Sequence, residues 1–275
     1  DRVALSGGSP RAVLFAVYAF LEDLGCRWFS PRLACYRGVG HEFVPRRKSL
    51  APPMGRRVVR PSMLYRDWLI EECRSQSIPD AIAMIDWMAK VRANVFFAPI
   101  DYQHSGRFTW ENIRASIIPE ISKRGLILTV GGHGYENFLH PEQFFDKHPD
   151  WFALIDGERS ANSHCAFESA NPVALKTFSR RVAEYIEAHP EIDILGLLPP
   201  DIVKWSESPE ALAQGSPSRR QAIVTEAVRK ELKRRNLTVG LETYAYDLSE
   251  PFPENIKVHE DIIVTLALFY QTHRG

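Results

Sequence analysis

From residue 62 onward, strand-like and helix-like segments alternate along the chain. Short apolar runs rich in β-branched and aromatic residues predict strands, and longer stretches with apolar residues three and four apart predict helices. This alternation is typical of parallel βα units, so the sequence predicts an α/β fold. Strands are predicted at residues 62–68, 94–99, 126–130, 192–198, 237–246 and 262–270, and helices at residues 79–92, 110–123, 172–188 and 219–235.

Two parallel architectures fit this alternation, the (β/α) barrel and the open Rossmann-type sheet. The chain has no GxGxxG motif after its first predicted strand and no GxxxxGK[ST] motif, which are the phosphate-binding signatures of open sheets. We therefore predict a (β/α) TIM-type barrel. A closed barrel of this kind has eight strands and takes about 250 residues. With six predicted strands, we expect the barrel in this chain to be incomplete and open.

The chain is predicted to contain two domains joined by a linker. Residues 10–24 have helical apolar spacing, and they belong to residues 1–44, the predicted C-terminal part of a small α/β domain. Residues 45–61 are rich in proline and arginine, which predicts the linker. Residues 62–275 form the predicted barrel domain.

The barrel domain is predicted to carry a long insertion at residues 131–170, directly after its third strand. Connections in βα units usually span only a few residues, and longer ones are often functional. We expect the insertion to fold over the C-terminal mouth of the barrel. Four of its side chains are expected to contribute to a substrate site: Tyr135, His140, Trp151 and Phe152.

Charge and composition argue against several classes of partner. The 34 lysines and arginines balance the 34 aspartates and glutamates, so no net field attracts nucleic acid or an anionic membrane. The basic stretch at 219–235 is interrupted by Glu226 and Glu231, which indicates a solvated outer helix. No apolar run reaches the roughly 18 residues of a membrane helix. The cysteines form no CxxC pair and the histidines no HExxH motif, so no metal and no cofactor are predicted.

Two segments carry a resemblance to known carbohydrate-active families. Residues 8–31, GSPRAVLFAVYAFLEDLGCRWFSP, resemble the last helix of the small α/β domain that precedes the barrel in family 67 α-glucuronidases and family 20 β-hexosaminidases. Residues 148–172, HPDWFALIDGERSANSHCAFESANP, resemble the barrel insertion of the group called domain of unknown function 4838, which is related to both. The resemblance implies a carbohydrate-active enzyme that is secreted or periplasmic.

Candidate binding residues lie at predicted strand ends, where barrel enzymes place their reacting groups. Arg66 and Asp67 end the first strand, and the resemblance to hexosaminidases implies an arginine that grips the sugar there. An Arg–Asp ion pair at the barrel rim is an equal alternative. His133 follows the third strand after two glycines and resembles a sugar-site histidine of hexosaminidases. Tyr246 matches a tyrosine of the resembled group and suits a sugar-stacking platform.

Two carboxylates are predicted to be catalytic, because glycoside hydrolysis needs an acid and a second carboxylate. Asp201 directly follows the fourth strand, where a turn-capping role is the alternative. Glu242 lies on the fifth strand and shares one face with Tyr244 and Tyr246, because side chains alternate along a strand. An outward-pointing face would make Glu242 a solvated residue instead. Hexosaminidases have a glutamate immediately after the aspartate, and this chain has Ile202.

These residues together predict a glycoside hydrolase-like enzyme that uses carboxylate acid/base catalysis. The expected substrate is a polysaccharide or glycan that contains uronic acid or amino sugar. A non-catalytic carbohydrate-binding barrel is the alternative, and a metal-dependent deacetylase-like barrel is disfavoured because the histidines lack a ligand pattern. The sugar, the linkage, the stereochemical outcome and the oligomeric state stay open.

Overall fold

The computed structural model describes residues 2–34, 40–49, 51, 54–68, 77–100, 109–201, 203–245 and 257–266. Over these residues the chain has an α/β fold with a parallel central sheet. It divides into two compact units, one formed by Asp1–Ala98 and Arg107–Thr129 and the other by Pro99–Gly106 and Val130–Gly275. The predicted division into a small domain, a linker and a barrel domain stays a prediction.

The first unit contains three helices and the first strands of the parallel sheet. In chain order its elements are α1 (Pro10–Asp23), β1 (Arg27–Trp28), β2 (Glu42–Phe43), β3 (Asp67–Trp68), α2 (Ile78–Lys90), β4 (Val95–Pro99), α3 (Trp110–Arg124) and the start of β5 (Ile127–Gly131). Strands β1 and β2 pair antiparallel, whereas β3 pairs in parallel with β4. Strand β5 lies on the other side of β4.

Helix α2 packs against both α1 and α3. Its side chains Ile85 and Met88 are completely buried. Asp86 forms ion pairs with Lys90 at 2.8 Å and with Arg124 at 2.7 Å. Burial opposes the ionisation of Asp86, but hydrogen bonds and charges from the two cations outweigh it and lower the pKa of this carboxyl.

The second unit contains the end of β5 and the remaining elements. They are α4 (Tyr135–Phe138), α5 (Pro141–Phe144), a 3₁₀ turn (Pro149–Trp151), β6 (Leu154–Ile155), β7 (Glu158–Arg159), α6 (Pro172–Ala188), β8 (Ile194–Gly196), α7 (Pro209–Ala213), α8 (Pro217–Arg234), β9 (Gly240–Ala245) and β10 (Ile262–Leu266). The strand order is β10, β9, β8, β5, and both β8 and β10 run parallel to β9. Strands β6 and β7 form a hairpin whose turn residues, Asp156 and Gly157, both have positive φ.

Helix α8 has the predicted amphipathic character, and it also carries ion pairs on its surface. Val224, Val228 and Leu232 are buried, and the helix packs against α6. On its exposed side, hydrogen bonds from Arg234 and the charges around it lower the pKa of Glu231 to about 2. The basic residues of this helix therefore belong in part to ion pairs within the helix itself.

The predicted elements agree well with the observed helices and less well with the strand ends. The four helices predicted from residue 79 onward are confirmed, each to within two residues, as α2, α3, α6 and α8. Of the first predicted strand, residues 62–68, the structure has only β3, and of the fourth, residues 192–198, it has only β8. The predicted ends of the fifth and sixth strands lie outside the described residues. In the described part of the chain, β3 and β10 each have one strand neighbour, and the incomplete, open barrel stays a prediction.

A close backbone contact within the second unit gives a test of this packing. A Cβ atom added to Gly131 would lie 2.4 Å from backbone atoms of Gly196. Because backbone cannot yield as a side chain does, we expect Gly131→Ala to destabilise the protein by about 1–3 kcal/mol. Chemical denaturation should show this as a lower midpoint. Gly8→Ala is the control, since its added methyl meets nothing within 4 Å, and equal midpoints for the two variants would contradict the packing.

Candidate functional site

The candidate site lies where β5 and β8 end in the second unit. The segments that follow these two strands stay paired, since His133 forms a parallel bridge with Leu198. The amide of Leu198 donates to the carbonyl of Gly132, and the amide of Gly134 donates to the carbonyl of Leu198. The predicted binding residue His133 is thus held by backbone hydrogen bonds at the carboxyl ends of two neighbouring parallel strands.

His133 and Asp201 are brought together at these strand ends. His133 is 3% exposed, and its Nδ1 lies 2.5 Å from the carbonyl oxygen of Pro199. Because a carbonyl oxygen can only accept, Nδ1 carries the hydrogen and donates it. The other ring nitrogen, Nε2, lies 3.7 Å from Oδ1 of Asp201. At this separation the two side chains lie within ion-pair distance of each other but beyond a direct hydrogen bond.

Glu242 lies on the face of β9 that is opposite α8. Its neighbour Thr243 points toward α8, where its hydroxyl accepts a hydrogen bond from Gln221 and also contacts Thr225. Alternation along the strand then directs Glu242 and Tyr244 to the other face. Glu242 is only 6% exposed, so the prediction of an inward-pointing carboxyl group is supported over that of a solvated one.

Two hydroxyl groups donate to the buried carboxyl group of Glu242. Tyr244 donates to Oε2 at 3.1 Å, and Thr265 on β10 donates to Oε1. Thr265 was not among the predicted site residues, because strand pairing is needed to show that it lies beside Glu242. Thr265 is a polar residue within an otherwise apolar strand, and this is the sequence signal that could have drawn attention to it.

The absence of a side chain at Gly196 makes room for this carboxyl group. Gly196 pairs with Glu242 in the sheet register. A Cβ atom there would lie 3.1 Å from the hydroxyl oxygen of Tyr244 and 3.4 Å from Oε2 of Glu242. Leu198, which bridges to His133, is two residues further along the same strand direction. Since strands rise about 3.3 Å per residue, the bridge between His133 and Leu198 lies roughly 7 Å further along the strand direction than Glu242.

The insertion lies against the segment that follows β8. Cys165 forms a parallel bridge with Lys204, and the amide of Ala166 donates to the carbonyl of Lys204 at 3.0 Å. Nδ1 of His164 lies 3.2 Å from the backbone oxygen of Asp201. The insertion therefore reaches the carboxyl end of β8 and the candidate catalytic residue itself, which is the strand end where it was expected. That it covers a barrel mouth stays a prediction.

Most of the aromatic side chains of the insertion form a core and do not line an open surface. Tyr135, Trp151 and Phe152 are each less than 10% exposed, contrary to the expectation that they line a substrate site. The ring of Tyr135 packs against Phe167 and Phe178, and burial raises the pKa of its hydroxyl above the ordinary value. The physical reason is that the insertion is long enough to need apolar packing of its own.

Buried hydrogen bonds connect the insertion to the segment after β8. The carboxyl group of Glu168, 3% exposed, accepts from Arg159 at 2.9 Å and from the hydroxyl of Ser206 at 2.6 Å. The same hydroxyl accepts from the amide of Leu154 at 3.1 Å. Arg220 on α8 donates to the backbone oxygen of Ser206 at 2.7 Å. Buried polar groups need such partners, so this cluster fixes the insertion in one position.

The remaining predicted residues have other surroundings. In the first unit, Arg66 donates to the carbonyls of Arg92 at 2.9 Å and Met63 at 2.7 Å, contacts that support its own segment. Burial and two neighbouring arginines lower the pKa of its guanidinium. Asp67 is exposed on β3. Tyr246 lies outside the described residues.

Comparison with known families assigns the chain to one of them. The model of the family described as domain of unknown function (DUF4838) matches residues 41–274. The chain belongs to this family. Relatedness of the DUF4838 chain to family 67 α-glucuronidases and family 20 hexosaminidases stays a prediction. A comparison with curated proteins found no match.

Solved structures that resemble the DUF4838 chain include α-galactosidases. The enzyme from Lactobacillus brevis gives a TM-score of 0.40 at 12% identity, covering 61% of this chain and 24% of that enzyme. GH36 α-galactosidase AgaB from Geobacillus stearothermophilus gives 0.41 at 10% identity, covering 62% and 26%. The chain thus spans about a quarter of the length of these enzymes. Likeness at this level does not bear on function.

None of the helices in the described ranges has the length and apolar character needed to cross a membrane. In the same part of the DUF4838 chain, no three side chains of the metal-binding types come together in a way that could hold an ion.

The polar cluster at Ser206 gives a test of the attachment of the insertion. Ser206→Ala removes one donor to buried Glu168 and one acceptor for the Leu154 amide, so we expect a loss of about 1–3 kcal/mol in the free energy of unfolding. Hydrogen exchange should also become faster in residues 150–170. Ser218→Ala, a half-buried serine on α8, is the control. Unchanged exchange in Ser206→Ala would show that the cluster does not hold the insertion.

Proposed function

We propose that the chain is a glycoside hydrolase-like enzyme that uses carboxylate acid/base catalysis, on a parallel sheet that is part of a (β/α) TIM-type barrel. The observation that carries the proposal is the approach of His133 Nε2 to Asp201 Oδ1, at 3.7 Å, beyond the carboxyl ends of β5 and β8. Reacting groups of barrel enzymes lie at such strand ends. Glu242 on the next strand supplies a second carboxyl group.

The chemistry of glycoside hydrolysis matches this set of groups. One carboxylic acid must protonate the leaving oxygen, and a second carboxylate must act as base or nucleophile. The side chain of Asp201 is 27% exposed, so a substrate can reach it, whereas His133 beneath it is buried. Asp201, with His133 beside it, is the proposed donor of a proton to the leaving group, which is the task of a general acid.

The substrate class is proposed from the resemblance of the chain to α-glucuronidases and hexosaminidases. It supports a polysaccharide or glycan that contains uronic acid or amino sugar. Arg66, Asp67 and Tyr246 are proposed substrate-binding residues on the same resemblance, with His133 the one whose surroundings best support the role. Secretion or a periplasmic location is proposed on the same ground.

A non-catalytic carbohydrate-binding protein is the second candidate. It is favoured by one observation, the presence of Ile202 where hexosaminidases have a glutamate directly after the aspartate. A chain that binds glycans without cleaving them would keep a hydrogen-bonding surface and have no need for a proton donor. The two candidates therefore differ in whether bound oligosaccharide is turned over.

The test uses the full-length protein with 4-nitrophenyl glycosides and with oligosaccharides carrying uronic acid or N-acetylhexosamine. We expect turnover of at least one of them, and we expect Asp201→Asn to keep the fold and lower kcat by about 10²–10⁴, because the amide cannot transfer the proton. Exposed Asp146 offers the matched control, Asp146→Asn. Binding without product would support the second candidate, and full activity of Asp201→Asn would make Asp201 a turn residue.

A further inference from the structure

The segment that carries Asp201 begins with two prolines, Pro199 and Pro200. A proline has no amide hydrogen, so neither residue can donate a backbone hydrogen bond to a neighbouring strand. Directly before them, the amide of Leu198 still donates to the carbonyl of Gly132. At the two prolines themselves, hydrogen bonds can hold the backbone only at its carbonyl groups.

Two histidine side chains donate hydrogen bonds to carbonyl groups of this segment. Nδ1 of His133 lies 2.5 Å from the carbonyl oxygen of Pro199, and Nδ1 of His164 lies 3.2 Å from that of Asp201. A carbonyl oxygen can only accept, so each Nδ1 carries a hydrogen and donates it. The first histidine follows β5 and the second belongs to the insertion, so the segment is held by two separate parts of the same unit.

The turn that precedes His164 fixes the backbone of this residue. Oδ1 of Asn162 accepts from the amide of His164 at 2.8 Å, and the backbone oxygen of Asn162 accepts from the amide of Cys165 at 2.9 Å. Asparagine favours such turns because its side chain reaches the backbone two residues further on. The imidazole ring therefore extends toward Asp201 from a backbone that is already held in place.

Beyond His164, the insertion stays attached to the segment after β8. The carbonyl of His164 accepts from the amide of Lys204 at 3.0 Å, and the amide of Ala166 donates to the carbonyl of Lys204 at 3.0 Å. Two residues further along each segment, the hydroxyl of Ser206 donates to the carboxyl group of Glu168 at 2.6 Å. The ring of His164 is thus at one end of a row of hydrogen bonds that has a buried carboxyl group at its other end.

A hydrogen bond to the backbone of Asp201 can affect catalysis without touching a substrate. The side chain of Asp201 is 27% exposed, and the backbone that carries it decides where its carboxyl group meets a substrate. Proton transfer requires the acid within hydrogen-bond reach of the leaving oxygen, and a misplacement of about 1 Å can lower a rate about 100-fold. Release of this backbone should therefore reduce the rate of the chemical step more than the binding of substrate.

We propose that His164 is a positioning residue, through which the insertion holds the backbone of Asp201 in the place that proton transfer requires. The effect on catalysis rests on the proposed function, which the proposal deepens. It gives the insertion a part in the site although most of its aromatic side chains are buried in a core of their own.

The first experiment measures catalysis by the full-length protein well below its unfolding temperature. His164→Phe keeps a planar ring and removes the donor, and we expect it to lower kcat and kcat/KM equally, by about 10–100-fold. His164→Asn carries an amide nitrogen near the position of Nδ1 and should recover most of the lost kcat. A parent rate in His164→Phe, or no recovery in His164→Asn, would overturn the positioning role.

His148→Phe is the matched control, because it makes the same substitution in the same insertion. The ring of His148 stacks on Trp151 with the ring centroids 4.1 Å apart, a contact that a phenylalanine ring can keep. We expect parent kinetics in this variant. A loss of kcat equal to that of His164→Phe would show a general effect of the insertion and would count against the proposal.

The second experiment needs no substrate. Amide hydrogen exchange is compared among the parent, His164→Phe and His148→Phe. We expect exchange in residues 201–206 to become faster in His164→Phe alone, because the backbone there opens locally once the hydrogen bond is lost. Unchanged exchange in these residues, or an equal rise throughout the chain, would contradict a local hold on Asp201.

The ring of His164 also provides a test in the parent protein, which applies even if His164→Phe fails to fold. The histidine rings are labelled with the heavy nitrogen isotope, and the signals of His164 are assigned by their absence in His164→Asn. At a pH at which the ring is neutral, we expect its hydrogen on Nδ1, because only this tautomer can donate to the carbonyl of Asp201. A hydrogen on Nε2 instead would overturn the proposal.

These measurements separate failure of the proposed function from failure of the positioning role. If the parent cleaves no glycoside while exchange in residues 201–206 rises in His164→Phe, the proposed function is wrong and the hold on the Asp201 backbone stands. If the parent is active and His164→Phe keeps its rate, the proposed function stands and the positioning role is wrong.

Discussion

The backbones at Gly131 and Gly196 approach each other more closely than any side chain at Gly131 allows. This contact brings the ends of β5 and β8 together, so that His133 can bridge to Leu198 just beyond it. It also leaves the space over Gly196 in which the carboxyl group of Glu242 lies. The candidate site is therefore a consequence of two missing side chains as much as of the polar residues that are present.

The helices could be predicted because their signals are local. Helix α6 begins at Pro172, directly after its N-cap Asn171, and buries a regular apolar stripe, and its predicted and observed bounds coincide. Strand ends were less predictable, because pairing with a neighbour decides where a strand stops. The two residues of β3 follow from its pairing with β4, which nothing within residues 62–68 specifies.

The candidate site was predictable only in part, for the same reason. Position after an apolar strand made His133 and Asp201 candidates, and alternation along the strand made Glu242 one, and their roles stay predictions. The partners of these groups come from strand register: Thr265 lies 23 residues from Glu242 along the chain, yet it donates to the same carboxyl group. Arg66 shows the opposite case, since its contacts with Arg92 and Met63 give the guanidinium a local structural use that sequence position alone could not reveal.

The hairpin of β6 and β7 differs from the rest of the insertion in how firmly it is held. Its strands carry Leu154 and Arg159, which join the buried cluster, and the amide of Asp156 donates to Glu207 at 2.9 Å. Gly157 is the open position of the turn, with nothing within 4 Å of the position of a Cβ there. Changes in loop length through evolution therefore meet least resistance at this tip. Related chains should diverge there first, and a label or affinity peptide spliced directly after Gly157 would enter the open side of the turn.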